Sequence, residues 1–195
     1  MDQQLGETVV GAEATVHIYD VVVVKRRRPK SYRIKELDTK LRKERTRVEA
    51  KIQSDARRAG VPTPVIWDVN GCSITMERIK GEPVRYVMNE LIAEQVGDVL
   101  GRLHSAGIAH GDPTTFNMIY SADKVYLIDF GLAYYDGSLE ARGVDLHVFF
   151  QTLEAMHQDA QSLKDAFVVG YAKRCPDAMR VVDKVNEIKQ RGRYL

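Results

Sequence analysis

The most constraining feature of this 195-residue sequence is a polar stretch between residues 110 and 131. It opens with His110-Gly111-Asp112, places Asn117 five positions after Asp112, and continues to Asp129-Phe130-Gly131. Asp, Asn and Gly are common in turns for conformational reasons alone, so a surface loop is the competing interpretation. The presence of both residues 110–117 and residues 129–131 at this separation favours a functional site instead. Carboxylate and carboxamide oxygens suit hard cations such as magnesium.

The order and spacing of these residues resemble a protein-kinase catalytic loop followed by its metal-binding loop. In such a site Asp112 is the base near the attacking hydroxyl, and Asn117 and Asp129 hold magnesium. Gly131 lets the backbone turn where a side chain would obstruct.

Composition sets few limits on function. Hydrophobic residues make up 44% and charged residues 29% of the chain, which is ordinary for a soluble globular protein. The two cysteines, Cys72 and Cys175, lack metal-ligand spacing and suit a reducing cytosol. No secretory signal or membrane span is visible, so we expect a cytoplasmic protein.

Charge is distributed unevenly. The net charge is +2, yet residues 25–58 contain 15 basic and five acidic residues, and residues 184–195 contain four basic and one acidic residue. This clustering predicts a polyanionic partner such as RNA, or an acidic protein face. A solvated helix face explains the charge equally well.

Residues 7–24 predict a β-hairpin with its turn near Gly11-Ala12-Glu13-Ala14, then a buried strand that ends at Lys25. A lysine at this place in a kinase reaches the α- and β-phosphates. The usual glycine-rich loop is absent. We expect the backbone of Gly11, Ala12 and Glu13 to approach the phosphates instead, although an ordinary hairpin fits these residues too.

A helix is predicted over about residues 38–59, with Asp38 as its N-cap. We expect Glu49 to reach Lys25 from this helix and to hold it towards phosphate. Glu44 is the alternative partner of Lys25, and pairing of Glu49 with neighbouring arginines is the other possibility.

Two strands around Asn70-Gly71 lead into a hinge, where main-chain groups of Glu77 and Ile79 next to Met76 are expected to bind adenine. A strand that simply ends there fits these residues equally well. Beyond the hinge, apolar periodicity predicts four helices: residues 91–107, one beginning near Val144, residues 162–174, and one from Pro176. A strand over residues 125–128 presents Asp129.

The fold class follows from this pattern: α+β, a minimal two-lobed protein-kinase-like fold with an N-lobe of residues 1–79 and a C-lobe of residues 80–195. Only a dozen residues separate Gly131 from the helix near Val144, so no extended activation segment is expected. His110 is expected to pack within the catalytic loop, and Asp145 to accept backbone amides of that loop.

The chain resembles the small atypical kinase subunit of the archaeal and eukaryotic KEOPS complex along essentially all of its length. The resemblance depends on the combination of these segments: Gly11-Ala12-Glu13-Ala14, Lys25 with the basic run to Arg33, Leu37-Asp38, Leu41-Arg42, residues 45–50, residues 59–64, Met76-Glu77, His110-Gly111-Asp112 to Asn117, Asp129-Phe130-Gly131, Val144-Asp145-Leu146 and Arg191-Gly192-Arg193. Pro113 and Phe116 depart from it, since the family more often has Leu and Ser there.

The resemblance implies ATP with Mg²⁺ (or Mn²⁺) between the lobes, phosphorylation of serine or threonine, including the protein's own, and ATP hydrolysis. It implies a role in forming threonylcarbamoyl-adenosine in tRNA. The implied partners are the threonylcarbamoyl-transferase subunit, a small helical subunit, and tRNA, with Lys189, Arg191 and Arg193 of the basic tail contacting partners or tRNA.

Two other functions remain open. Small-molecule kinases of the aminoglycoside type also use His-Gly-Asp, but they need a larger second lobe to enclose their substrate than this chain is expected to have. A kinase fold that serves only as an RNA or protein platform is the third hypothesis; the complete set of Lys25, Asp112, Asn117 and Asp129 argues against it.

Overall fold

The computed structural model describes residues 6–191. A five-stranded antiparallel sheet with the order β1-β2-β3-β5-β4 forms the first lobe. Its strands are β1 (Glu7–Val10), β2 (Ala14–Ile18), β3 (Val22–Arg27), β4 (Ile66–Asn70) and β5 (Ser73–Glu77). The predicted hairpin is confirmed, because Gly11 N–H donates to the Ala14 carbonyl at 2.9 Å and β1 pairs with β2.

Helix α1 (Lys35–Arg58) begins three residues before the predicted start. The prediction of Asp38 as N-cap is wrong: Ile34 occupies that position, without a side-chain cap bond. Asp38 is buried in the first turn, where it accepts the Lys30 amide at 3.2 Å and Arg42 Nε at 2.6 Å. Its carboxylate therefore anchors the preceding basic loop to the helix.

The second lobe is mainly helical, with two small sheets of order β6-β8-β9 and β10-β7. Its elements are β6 (Glu82–Pro83), α2 (Val84–Val87), α3 (Glu90–Ser105), β7 (Ile108–Ala109), a 3₁₀ turn (Thr115–Asn117), β8 (Met118–Ser121), β9 (Lys124–Leu127), β10 (Tyr134–Tyr135), α4 (Leu139–Met156), α5 (Ala160–Ala172) and α6 (Ala178–Arg191).

Helix α4 starts five residues before the predicted Val144, since Ser138 is its N-cap and accepts the Ala141 amide at 3.1 Å. Helices α3 and α5 cross closely: a Cβ at Gly97 would lie 2.1 Å from the Phe167 carbonyl oxygen. Any larger residue at position 97 would push the two helices apart.

One buried cluster fills the second lobe and includes Ile52 and Ala56 of α1. A much smaller cluster joins Ala50 of α1 to Ile74 and Met76 of β5. Helix α1 therefore joins the sheet to the main core. Within residues 6–191, none of the helices has the length and apolar character that a bilayer span requires.

Candidate active site

A cavity of about 270 Å³ lies between the sheet and the second lobe. Apolar side chains such as Val16, Val23 and Ile128 form most of its wall, with Met76, Glu77 and Ile79 along one part. Lys25, Glu49 and Asp129 also line it. A flat apolar ring and a charged group can therefore be held in the same cavity.

Lys25 lies in β3, and its side chain is buried. Its Nζ donates to Glu49 Oε1 at 2.7 Å and to Asp129 Oδ1 at 2.6 Å. These contacts bring together residues 104 positions apart in the chain. The structure places Glu49, and not Glu44, at Lys25.

Arg27 was not singled out in the sequence, where it lies in the basic run from Lys25 to Arg33. It is buried in β3, two residues after Lys25, and its Nη2 donates to Glu49 Oε2. Alternation along a strand puts residues i and i+2 on one face, and this signal was available. Glu49 thus binds one cation with each oxygen.

The loop after β7 positions Asp112 and Asn117. Asn117 Nδ2 donates to both the main-chain oxygen and Oδ2 of Asp112, each at 2.9 Å. The Ile128 amide donates to the Asn117 carbonyl at 2.9 Å, which joins this loop to the strand end that carries Asp129.

Asp145 braces the same loop from α4. It is fully buried, and it accepts the amide of His110 at 2.6 Å and the amide of Gly111 at 2.9 Å. Gly111 has φ +81°, and a Cβ there would lie 2.4 Å from the Leu132 carbonyl oxygen, so only glycine fits. Longer kinases have His-Arg-Asp where this chain has His110-Gly111-Asp112, and the close approach of Leu132 excludes an arginine here.

A buried network supports Asp145. His104 contacts Asp145 Oδ2 through Nε2 at 3.0 Å and the Tyr171 hydroxyl through Nδ1 at 2.7 Å. Burial raises the pKa of Tyr171, so the hydroxyl stays protonated. Tyr171 was not singled out in the sequence, because one tyrosine in an apolar helix carries no visible signal of a polar role.

His110 packs against the ring of Phe130, with centroids 5.0 Å apart. It is completely buried, and this burial lowers the pKa of its imidazole despite the nearby Asp145 and Asp129. The ring is therefore neutral at pH 7.

Asp129 has φ +60°, a left-handed conformation that is uncommon outside glycine and occurs at functional sites. Burial by itself would raise the pKa of its carboxyl. The charge and hydrogen bond of Lys25, together with the Gly131 amide, outweigh burial, so the net effect is a lowered pKa. A Cβ at Gly131 would lie 2.9 Å from Asp129 Oδ1, so glycine also gives this carboxylate room.

The predicted phosphate-approach residues are engaged by the basic segment. Lys30 Nζ donates to the Ala12 carbonyl at 2.9 Å and lies 3.0 Å from Glu13, and Arg28 donates to the Gly11 carbonyl at 3.3 Å. None of these three turn residues lines the cavity. Their role towards a nucleotide stays a prediction.

The predicted hinge residues do line the cavity. Glu77 Oε2 accepts the Val65 amide at 3.0 Å, so this side-chain oxygen already has a partner within the chain. The Ile79 amide has no hydrogen-bond partner in the part of the chain that the structure covers. It is thus an available donor beside the cavity.

The basic tail is partly helical. Lys189 and Arg191 belong to α6 and pair with Glu154 at 2.9 Å and with Glu140 at 2.9 Å. Arg193 lies outside the described residues.

The donor set fits magnesium bound together with phosphate. Asn117 uses its Nδ2 for Asp112, which leaves Oδ1 for a cation, and Asp129 supplies a carboxylate. Residues 6–191 hold no cluster of three or more His, Cys, Asp or Glu side chains suited to a metal. Two protein oxygens are the usual number when substrate phosphates and waters complete the shell.

Comparison with known proteins agrees with this geometry. Residues 12–141 match the RIO domain family. A protein of Archaeoglobus fulgidus, named probable serine/threonine-protein kinase BUD32 homolog, is 50% identical over 186 residues, which are 95% of each chain. This chain therefore belongs to the RIO-domain family of atypical kinases, and to its Bud32-like members.

Longer relatives also match. A Methanosarcina mazei protein, named probable bifunctional tRNA threonylcarbamoyladenosine biosynthesis protein, is 50% identical over 189 residues, which are 94% of this chain and 35% of that protein. The chain thus spans about a third of the length of such relatives.

Solved structures confirm the predicted α+β, two-lobed kinase-like fold. The Rio2 kinase from Chaetomium thermophilum superposes with a TM-score of 0.66 at 15% identity, covering 96% of this chain and 72% of that chain. The aminoglycoside phosphotransferase APH(3'')-Id from Streptomyces rimosus gives 0.65 at 16% identity, covering 92% and 91%. At these identities the likeness establishes the fold alone.

Proposed function

We propose that this chain binds ATP with magnesium in the cavity between its lobes, transfers the γ-phosphoryl group to serine or threonine, its own included, and hydrolyses ATP. The observation that carries the proposal is Lys25, held between Glu49 and Asp129 beside an apolar cavity. Membership of a kinase family supports it.

Lys25 has three N–H donors, and Glu49 and Asp129 accept two of them. The third is available to a phosphate oxygen. Because Arg27 neutralises the second oxygen of Glu49, Lys25 does not have to compensate that carboxylate alone. The cluster therefore presents a cation to phosphate without leaving a buried charge unpaired.

Asn117 and Asp129 would hold magnesium, or manganese in its place, and the metal neutralises phosphate charge when it is bound. Asp112 would accept the proton of the attacking hydroxyl, or orient a water molecule for hydrolysis. Asn117 holds Asp112 Oδ2, which leaves Oδ1 to act as the base. The amides bound to Asp145 keep the backbone of this loop in place.

We further propose that the protein works in the cytoplasm in the formation of threonylcarbamoyl-adenosine in tRNA, as a KEOPS-type subunit beside the threonylcarbamoyl-transferase, the small helical subunit and tRNA. The names of these relatives support this role. So does the match of this chain to one part of a longer bifunctional protein, since fused domains commonly act in one process.

The test is phosphoryl transfer and ATP turnover by the purified chain, alone and with the transferase subunit and tRNA. In Asp112→Asn we expect both activities to fall by about 10²–10⁴-fold, with nucleotide affinity within a few-fold of the original. Asp123→Asn, in the exposed β8–β9 turn, is the matched control and should leave activity unchanged. Full ATP turnover in Asp112→Asn would contradict the assignment.

The same preparation separates the other functions. Consumption of ATP with small-molecule alcohols, in the absence of protein acceptors, would favour the aminoglycoside-type alternative. Binding of tRNA with a steep salt dependence, unaffected by Asp129→Ala and without ATP turnover, would favour a platform that does not catalyse.

A further inference from the structure

Tyr135 makes a side-chain contact that the proposed reaction does not use. Its hydroxyl donates to Asp55 Oδ2 at 2.5 Å and accepts Lys51 Nζ at 2.8 Å. Lys51 also donates to Asp55 Oδ2 at 2.8 Å, and its ammonium lies 4.8 Å from the centroid of the Tyr135 ring. We call these three residues the Tyr135 latch.

One end of the latch belongs to the strand that follows the metal loop. Tyr135 is in β10, four residues after Gly131. β10 pairs with β7 (Tyr134 with Ala109, Tyr135 with Ile108), and β7 continues directly into His110-Gly111-Asp112. The backbone of Tyr135 is therefore joined to both functional loops.

The other end belongs to α1, the helix that carries Glu49. Asp55 lies six residues after Glu49, which is about 9 Å along the helix axis. Because a helix moves as a rigid rod over this distance, a contact at Asp55 restrains the angle at which Glu49 meets Lys25.

The latch is accessible and ionic. About half of the Tyr135 side chain is exposed, and Asp55 is partly covered. The hydrogen bonds from Lys51 and then from Tyr135 lower the pKa of Asp55 to about 2. The carboxylate is therefore charged at neutral pH.

Core packing does not depend on these groups. Ile52 and Ala56 anchor α1 in the main buried cluster, whereas Asp55 is only partly covered and Tyr135 is half exposed. The role left for the latch is therefore to adjust the angle of α1, and not to fold the chain.

We propose that Tyr135 and Asp55 are positioning residues. By tying α1 to β10, the strand joined to both functional loops, they set the distances among Glu49, Lys25 and Asp129. The inference rests on the proposed phosphotransfer function. It supplies the connection for which longer kinases use a phosphorylated activation segment, a segment that is too short in this chain.

The experiment compares Tyr135→Phe with Tyr134→Phe in the full chain. Each removes one hydroxyl from β10, but the described structure shows no hydrogen bond for the Tyr134 hydroxyl. We expect Tyr135→Phe to lower kcat about tenfold, with a much smaller change in KM for ATP and an unchanged melting temperature. Tyr134→Phe should retain kcat.

A second readout is independent of catalysis. Amides of α1 between residues 47 and 56 should exchange with deuterium faster in Tyr135→Phe than in Tyr134→Phe. Asp55→Asn should reproduce both effects, and the double variant Tyr135→Phe/Asp55→Asn should be no worse than either single variant.

Equal kcat in the two tyrosine variants would overturn the positioning role, whatever the exchange rates. Additive losses in the double variant would also overturn it, since the two residues would then act separately. If the unsubstituted chain turns over no ATP, the proposed function fails. The latch is then decided by exchange alone: faster exchange supports the tie, and unchanged exchange refutes it.

Discussion

A buried carboxylate organises each half of the cleft, and the two do so differently. Glu49 in the first lobe binds two side-chain cations, Lys25 and Arg27. Asp145 in the second lobe binds two main-chain amides and the imidazole of His104. Both side chains are almost fully excluded from solvent.

The difference concerns what each carboxylate can control. Long side chains such as lysine can move when a ligand arrives, so Glu49 adjusts a charge towards phosphate. Backbone amides cannot leave without unfolding the loop, so Asp145 fixes the conformation of the loop that carries Asp112. We therefore expect substitution of Glu49 to affect mainly binding and catalysis, and substitution of Asp145 to affect mainly stability.

The largest effect is expected for Asp145→Asn. This change leaves two buried amides and His104 competing for one acceptor, and we expect a loss of about 2–5 kcal/mol in the free energy of unfolding. Urea denaturation measures it. Glu140→Gln, in the exposed first turn of the same helix, is the control and should change stability by under about 1 kcal/mol. Equal losses for the two variants would refute the role of Asp145.

The next effect is expected for Glu49→Gln. Gln offers Lys25 and Arg27 one neutral oxygen in place of a carboxylate, so Lys25 is held less firmly and we expect kcat/KM for ATP to fall about 10–100-fold. The loss in unfolding free energy should be smaller than for Asp145→Asn. Steady-state kinetics and urea denaturation decide this. Glu44→Gln, on the exposed surface of α1, is the matched control; a comparable loss there would reverse the assignment.

A smaller effect is expected for Arg27→Gln. Both oxygens of Glu49 then compete for Lys25 and draw it away from phosphate, so KM for ATP should rise several-fold with kcat less changed. Arg26→Gln, exposed on the opposite face of β3, should leave KM unaltered. If KM for ATP did not rise in Arg27→Gln, Arg27 would contribute packing alone and would not influence Lys25 through Glu49.

The smallest effect is the pH response of His110. Burial lowers its pKa in the folded state below the usual value of 6.5. The unfolded chain therefore binds the extra proton first, and this residue's contribution to stability falls as pH drops below 6.5, by at most about 1.4 kcal/mol per pH unit. Titration of the ring by NMR checks this, and a midpoint at or above 6.5 would contradict it.

Sequence spacing predicted much of the fold and of the site. Lys25, Glu49, Asn117 and Asp129 belong to motifs whose order along the chain reflects the chemistry. The structure brings Lys25, Glu49 and Asp129 into contact and joins Asn117 through its carbonyl to Ile128, the residue before Asp129. Turn residues predicted the β1–β2 and β4–β5 hairpins of the first lobe for local reasons.

Contacts between distant segments were not predictable in this way. Asp38 has the residue type of an N-cap, but tertiary contacts with Lys30 and Arg42 recruit it into the helix. Arg27 was hidden in a run of basic residues, and the partnership of Tyr171 with His104 joins positions 67 residues apart.

The most direct test of the account is the affinity of the chain for ATP, measured by calorimetry with magnesium and with a chelator. The account predicts that magnesium strengthens ATP binding by at least about tenfold, or about 1.4 kcal/mol, and that Asp129→Asn abolishes this gain. Equal magnesium dependence in the two proteins, or no ATP binding by the original chain, would contradict it.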